Sequence, residues 1–521
     1  MLSTDTAELI QDLDYLLDSQ HKHIALSVPF ALKAFYIHSP KLVWFDKKQI
    51  KNSAYAWLNI IKQSHYYGLN LNGYHNKQLH EILNENVQSL SDKQIIYVDI
   101  LLTDSFFSFT DHLRHGQLKP NTNLRRSQKS LIGSNKLHQS LRDMLLQNAG
   151  RTVFQMFLSR LEPQHKQYKK LRETQFNRLK HIDAYRTVDT SSKNYLKIGI
   201  KNPRVASLRQ LLFDIYPEIR SKPSVITDYF DEELQEIVKI FQTNHQLIND
   251  GIVGPKTQII LNKKFDSLTY LINNNLERWR WLPDDLGNNH VWINIPEYML
   301  YMVKDGQVFD SMKVIVGQND KRTPVMSRVI NYLVFNPYWF IPSSIALEEF
   351  VPKMILDSDY FQKQRIHVYI QNKQERFEIN PKVINWHGIT NKKHLAPFKL
   401  IQDPWPGNSL GRIKFILPND EQIYLHDTPQ KELMDKPCRS FSSGCVRLED
   451  SVKLANFVLS FNTNWSPEKT AQLLNTKVNQ TIHKMVKVDK PIPVHIHYIT
   501  LTITKNEKFV IGNDPYKWDI Q

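Results

Sequence analysis

The sequence predicts an α+β multidomain chain, on three observations. Its 521 residues exceed one core at roughly 150 residues per domain and leave room for about three. Apolar residues recur at helical spacing up to Arg186, and beyond Asn273 their period switches to two, the alternation of half-buried strands. Between these stretches lies a compact pattern of short helices joined by a glycine and proline turn.

Each part follows from its spacing. Leu9, Leu13, Leu16 and Leu17, and again Ala54, Trp57, Leu58 and Ile61, mark helices, so Ala7 to about Arg186 is predicted mostly helical. Counting the polar stretch Thr187 to Asn194 as its linker, the first domain is 1–194, with segments after 265 free to complete it. Its densest basic run, His165 to Arg186, spaces its charges like the wet side of a helix. The middle domain, 195–266, places Val205, Leu208, Leu211 and Leu212 on one helix and Asp231 to Phe241 on a second. The turn Asp250-Gly251-Ile252-Val253-Gly254-Pro255-Lys256-Thr257 then starts a third helix, running to Leu261, with Pro255 suited to a first helical position.

The remainder, 267–521, reads as mostly β. Val291, Ile293 and Ile295 alternate, Met299, Tyr301 and Val303 lead into Lys304-Asp305-Gly306, and Val314-Ile315-Val316 returns. Val329 to Phe335, Ile413 to Leu417 and Ile423 to His426 add strands, and Val494 to Ile503 with Phe509 to Ile511 reads as a closing hairpin. From about 341 to 396 the alternation breaks into proline-bounded helices and loops, an insertion of the length expected of a lid.

Composition narrows the partners. At 41% hydrophobic residues the chain can bury substantial cores, and 67 Lys+Arg against 52 Asp+Glu give +15, which favours an anionic partner. Nucleic acid is not expected, since no zinc-finger, aromatic RNA-binding or helix-turn-helix signature accompanies the charge. Two cysteines, Cys438 and Cys445, are too few for a disulfide framework or a four-cysteine zinc site. A small-loop disulfide between them would consume the thiol. No His-Glu-x-x-His and no phosphate-cradling loop occurs, so no metal or cofactor is expected. Met1 to Ile10 lacks the order of a secretory signal and no apolar run reaches membrane length. Either the protein stays inside, or the sequence is a processed or trimmed form.

Chemistry concentrates at His426 and at Ser442-Ser443-Gly444-Cys445-Val446-Arg447. A cysteine attacks carbonyls as thiolate and needs a base and a positive field, and His426, at a strand end, is the candidate base. Gly444 permits a tight turn beside the sulfur. Leu448 through Leu459 reads as a helix, which would set Cys445 just before a helix N-terminus whose N–H groups favour an anion. Gly407-Asn408-Ser409-Leu410-Gly411 matches a serine nucleophile elbow, but it follows Pro404-Trp405-Pro406 and precedes a strand, so it is expected to be a loop flanking the site.

Two resemblances extend this reading. Phe241-Gln242, His245, Asp250-Gly251, Gly254-Pro255 and Thr257 resemble the three-helix peptidoglycan-binding domain of cell-wall enzymes, although Gln246 stands where that family often has glycine; glycan binding and a plain spacer role both stay open. Ile423-Tyr424-Leu425-His426-Asp427-Thr428-Pro429 with Ser442 to Arg447 resembles the catalytic signature of the bacterial L,D-transpeptidases. Leu276 to Pro283, Val316-Gly317, Thr323-Pro324, Asn336-Pro337-Tyr338-Trp339 and Asn408 to Gly411 are similar to the large multidomain branch of that family, as is Leu32 to Trp44 with Gly68-Leu69 to its helical scaffold domain. Ser443, where the wider family has histidine, fits that branch.

The resemblance implies a periplasmic, monomeric enzyme, its export signal or inner-membrane anchor outside this sequence. Its partners would be peptidoglycan tetrapeptide stems, as donor and acceptor, and carbapenem-type β-lactams would acylate it. Cys445 would attack the third, diamino acid residue of a stem, expelling the terminal D-alanine, and a second stem's amine would take the acyl group. Water as acceptor, giving an L,D-carboxypeptidase, stays open, as does a non-catalytic wall-binding scaffold. Cys445 would be nucleophile, His426 base and then acid, and Ser443 would orient the histidine. The N–H groups of Gly444, Cys445 and Tyr424 would form the oxyanion hole. Arg447, Trp339 and Asn408 would bind substrate.

Overall fold

The computed structural model describes residues 26–38, 41–46, 48–70, 72–84, 90–118, 134–186, 195–216, 219, 227–372, 375–475, 483–504 and 508–519. The leucines at 9, 13, 16 and 17 and the linker 187–194 lie outside the described residues. The chain forms two compact units: one runs to Asp284 and takes in Thr500–Ile511, the other comprises Asp285–Ile499 and Gly512–Gln521.

The first unit is helical around α1 (Asp92–His115), which starts with a reciprocal capping box between Ser91 and Gln94 and is buried along most of its length. A helix buried on all sides must satisfy its polar groups internally. Asp99 accepts from the Val43 and Trp44 N–H groups at 3.0 and 2.7 Å and from the Tyr36 hydroxyl at 2.7 Å. Burial still pushes its carboxyl up to about 6. Asp104 likewise accepts from Val28 N–H at 2.9 Å and faces His75 at 2.7 Å.

Further along, α2 (Lys166–Arg186), α3 (Pro203–Ile215), α4 (Glu232–Asn244) and α5 (Pro255–Trp279) share one core. It joins Leu179 and Tyr185 of α2 to Leu208, Phe241 and Phe265. Gln242 organises the turn ahead of α5, accepting from Gly251 N–H at 2.8 Å and donating to Asp250 at 2.8 Å and to the Ile252 carbonyl at 3.0 Å. Position 267, where the sequence reading opens the β domain, lies inside α5, which is continuous for 25 residues.

The second unit is a β barrel. Its strands are β1 (His290–Asn294), β2 (Met299–Lys304), β3 (Gln307–Gly317), β4 (Met326–Phe335), β5 (Trp339–Phe340), β6 (Ile366–Asn372), β7 (Glu375–Ile379), β8 (Phe398–Gln402), β9 (Ile413–Ile416), β10 (Leu425–His426), β11 (Ser440–Ser442), β12 (Val446–Leu448) and β13 (Lys484–His497). The main sheet has the order β11-β3-β12-β10-β9-β4-β13-β1-β2, and β2 pairs back onto β3, which closes it and removes its long edges. Three expectations change here. The closing segment is one long strand, β13, paired with β4 and β1, while the hairpin Leu501–Ile503 with Phe509–Ile511 belongs to the first unit. The helix after Cys445, α6, spans only Ser451–Leu459. Finally, the insertion between β4 and β9 is not helices and loops alone. It contains a four-stranded sheet, β5-β8-β6-β7, with its own core of Trp339, Phe350, Phe361, Trp386 and Leu400.

Among the described residues no helix is long and apolar enough to cross a membrane.

Candidate active site

Cys445 sits where three strands meet. β12 lies between β3 and β10, pairing antiparallel with the first and parallel with the second, with Leu425 opposite Val446 and His426 opposite Arg447. The sulfur therefore leads directly into a strand. Val446 and Leu448 are buried while Arg447 is half-buried, an alternation that fits the barrel wall and keeps the helix from starting until Ser451. The expected helix N-terminus at Cys445 is thus absent: α6 begins six residues later, and the Asp450 carboxylate caps it through Lys453 N–H at 2.9 Å.

The turn itself is tightly specified. Gly444 has φ +114, and a Cβ there would meet the Ile423 side chain at 3.1 Å, so both backbone and space call for glycine. Ser442 donates to the Cys445 carbonyl at 2.5 Å and accepts from Gly444 N–H at 3.1 Å. On the other face, fully buried Thr323 donates to the Gly444 carbonyl at 2.7 Å and accepts from Gly317 N–H at 2.8 Å. Tyr516 secures that threonine, accepting from Thr323 N–H at 2.9 Å and donating to the Gly317 carbonyl at 3.1 Å.

These bonds revise several assignments. Gly444 N–H is committed to Ser442, which removes it from the expected oxyanion set of Gly444, Cys445 and Tyr424. Ser443 is exposed and does not bond His426. The imidazole is held instead at Nδ1 by the Asp427 carbonyl, 2.6 Å away. Asn408 is fully buried, donating to the Asp403 and Pro337 carbonyls at 2.9 and 3.2 Å and accepting from Leu410 N–H at 2.8 Å. It shapes the loop and does not face the cleft.

The cleft holds about 1200 Å³ and is lined by Cys445, His426, Tyr424, Arg447, Trp339, Ser443 and the Lys414 side chain, with Ser409 and Leu410 of the flanking loop. Its electrostatics are basic. Burial raises the Cys445 thiol, opposed by Tyr424 N–H, Lys414, the Tyr424 hydroxyl and Arg447. Burial, then Arg447, pushes His426 down to about 3, so its ring is neutral near pH 7. Tyr424 is raised well above its ordinary value by burial and by Cys445. Its ring lies 5.6 Å from that of His426, centroid to centroid. Among the described residues no hydrogen bond joins the Cys445 sulfur to His426; the thiol points toward the Gln422 carbonyl at 3.9 Å. Arg447 donates to Gln430 at 3.0 Å, and burial lowers its guanidinium. Trp339 is buried in the core of the insertion, with one face on the cleft. Both cysteines are free, and Cys438 is exposed. No cluster of metal-ligating side chains occurs among the described residues.

Sequence reasoning missed Ser442, Thr323, Tyr516 and Lys414. Two signals pointed toward them: Ser442 opens the run that holds Cys445, and Thr323-Pro324 belongs to the family resemblance.

Fold and cleft define a β-barrel domain that presents one cysteine on a braced turn among cations. Residues 288–493 match the L,D-transpeptidase catalytic domain family, residues 31–174 a "Scaffold domain" and residues 201–261 a "Putative peptidoglycan binding domain". The chain is therefore a multidomain protein carrying an L,D-transpeptidase catalytic domain. It is 34% identical over 262 residues to a "Putative L,D-transpeptidase" of Haemophilus influenzae. That match covers 50% of each chain, so the chain spans about half the length of the relative it matches. Two solved structures are also similar: an L,D-transpeptidase from Xylanimonas cellulosilytica (13% identity) and a fused Zn-dependent amidase/peptidase/peptidoglycan-binding domain-containing protein from Clostridium acetobutylicum (10%). Each likeness covers 59% of this chain and all of the other, with a TM-score of 0.15, too low to bear on the fold.

Proposed function

We propose that this protein is an extracytoplasmic L,D-transpeptidase acting on peptidoglycan stems, with Cys445 as nucleophile. The observation that supports this most is the braced Ser442–Cys445 turn opening on a basic cleft within a matching catalytic domain. The Cys445 sulfur bonds to the carbonyl carbon of the stem's third, diamino acid residue, and the oxyanion is received by the N–H groups of Cys445 and Tyr424. His426, neutral and fixed at Nδ1, takes the thiol proton and returns it to the departing amine of the terminal D-alanine. The thioester then passes to the side-chain amine of a second stem. Arg447 and Trp339 line the donor's path, Arg447 as partner for a stem carboxylate.

The test is incubation with tetrapeptide muropeptides and mass analysis of products. Dimers linked between third-position residues, lost in Cys445→Ala, are expected; wild-type protein giving neither dimers nor tripeptides would overturn the reading. Tripeptides alone would identify water as acceptor and the activity as L,D-carboxypeptidase. A carbapenem adduct on Cys445 would report the same thioester chemistry.

A further inference from the structure

Among the described residues Lys414 is a cation with no carboxylate paired to it. It stands on β9 directly opposite His426 in register, with its ammonium 3.9 Å from the centre of the Tyr424 ring. It lines the same cleft as Cys445 and Arg447. Among the described residues it forms no ion pair, and burial lowers its affinity for its proton, opposed only by Cys445. An ammonium drawn out of water against an aromatic face is costly unless an anion repays part of the desolvation. Of the carboxylates nearby, Glu348 holds Lys321, Glu349 of the insertion faces Arg447, and Glu421 lines the same cleft without forming an ion pair with Lys414. The remaining groups around the sulfur are the neutral His426, Tyr424 and Arg447.

We propose that Lys414 is the positioning residue that readies the nucleophile: its ammonium, seated on Tyr424, is the counter-charge that meets the sulfur as His426 takes the Cys445 thiol proton. This deepens the reading of Cys445 as nucleophile and rests on it. Arg447 adds a second positive charge, but its guanidinium is shared with Gln430. His426 carries the thiol proton to the departing amine, and Lys414 faces the negative charge that the proton leaves on the sulfur.

Alkylation by iodoacetamide tests this across pH. The thiol proton passes to buffer, the sulfur bonds to the methylene carbon, and iodide leaves. An opposite charge nearby shifts a pKa by roughly one to three units. Lys414→Gln is therefore expected to raise the midpoint of the alkylation profile by about one unit and to slow reaction at pH 7 by about tenfold. Lys414→Arg should keep the wild-type profile, and His426→Gln should move it less than Lys414→Gln. A Lys414→Gln profile superimposed on wild type, or an arginine variant that titrates like the glutamine one, would overturn the proposal. A second measurement avoids the question of folding in variants. By linkage, capping Cys445 in wild-type protein should lower the Lys414 pKa followed by side-chain nitrogen NMR, and an unchanged value would overturn the proposal equally. No stem peptide enters either experiment, so a wild type that makes neither dimers nor tripeptides would overturn the proposed function and leave these readouts standing.

Discussion

Thr323 commits its one hydroxyl to two backbone groups, Gly317 N–H and the Gly444 carbonyl, in a site with no exposure. Thr323→Val keeps the shape and leaves both groups buried without a partner, which costs about 1–3 kcal/mol for each unsatisfied group. We expect a lower denaturant midpoint and slower acylation by a carbapenem, with less change in Cys445 alkylation by a small reagent. His426 gives a second residue-scale expectation. Its folded pKa of about 3 lies below the ordinary histidine value, so between those limits the unfolded chain binds more protons than the folded one. Stability linked to this ring is present above roughly pH 6.5 and is lost as pH falls toward 3. Denaturant midpoints measured from pH 7 to 4 should fall more steeply for wild type than for His426→Gln.

At the scale of elements, the insertion behaves as a small domain with its own core. Phe361, fully buried between Trp386 and its neighbours, anchors it. Phe361→Ala should cost about 3–5 kcal/mol, and hydrogen exchange should quicken in β6 and β8 while the amides of β4 and β13 stay protected. Why the sequence hid this sheet is visible in β7, where four of five side chains are exposed and no alternation remains to be read. The barrel strands were legible because one face is wet: β9 alternates buried and half-buried, and β4 ends in a buried run at Leu333–Phe335. The helix wrongly extended back toward Cys445 shows the opposite failure. Val446-Arg447-Leu448 is too short to separate a strand from a first helical turn, and only pairing with β3 and β10 decides it. Cys445, His426 and Gly444 were legible as candidates because each is a distinctive residue type in a short motif. Thr323 and Lys414 were not, because a threonine or a lysine gains its part from neighbours distant in sequence, and Ser442 stood inside the motif with no role read from its spacing to Gly444 and Cys445.

At the scale of the whole molecule, the chain returns to its first unit late. Asn275 on α5 is fully buried, and its carbonyl accepts from Thr500 N–H at 2.8 Å and Leu501 N–H at 3.1 Å, so residues 500–511 complete a unit whose other members end at Asp284. Asn275→Ala leaves those two N–H groups without a partner, at about 1–3 kcal/mol each. Exchange of α5 amides should quicken, with the pH profile of Cys445 alkylation unchanged. The chain then crosses back, and Tyr516 settles against Thr323 and Gly317 behind the nucleophile turn. The order of synthesis follows from that contact. A growing chain that has already delivered Cys445 still lacks the tyrosine that secures Thr323 behind the turn, so the turn stays incompletely braced until residue 516 has been added. Assembly of the site is thereby tied to synthesis through residue 516, and fragments cut short before that tyrosine should carry a cysteine on a turn that lacks one of its braces.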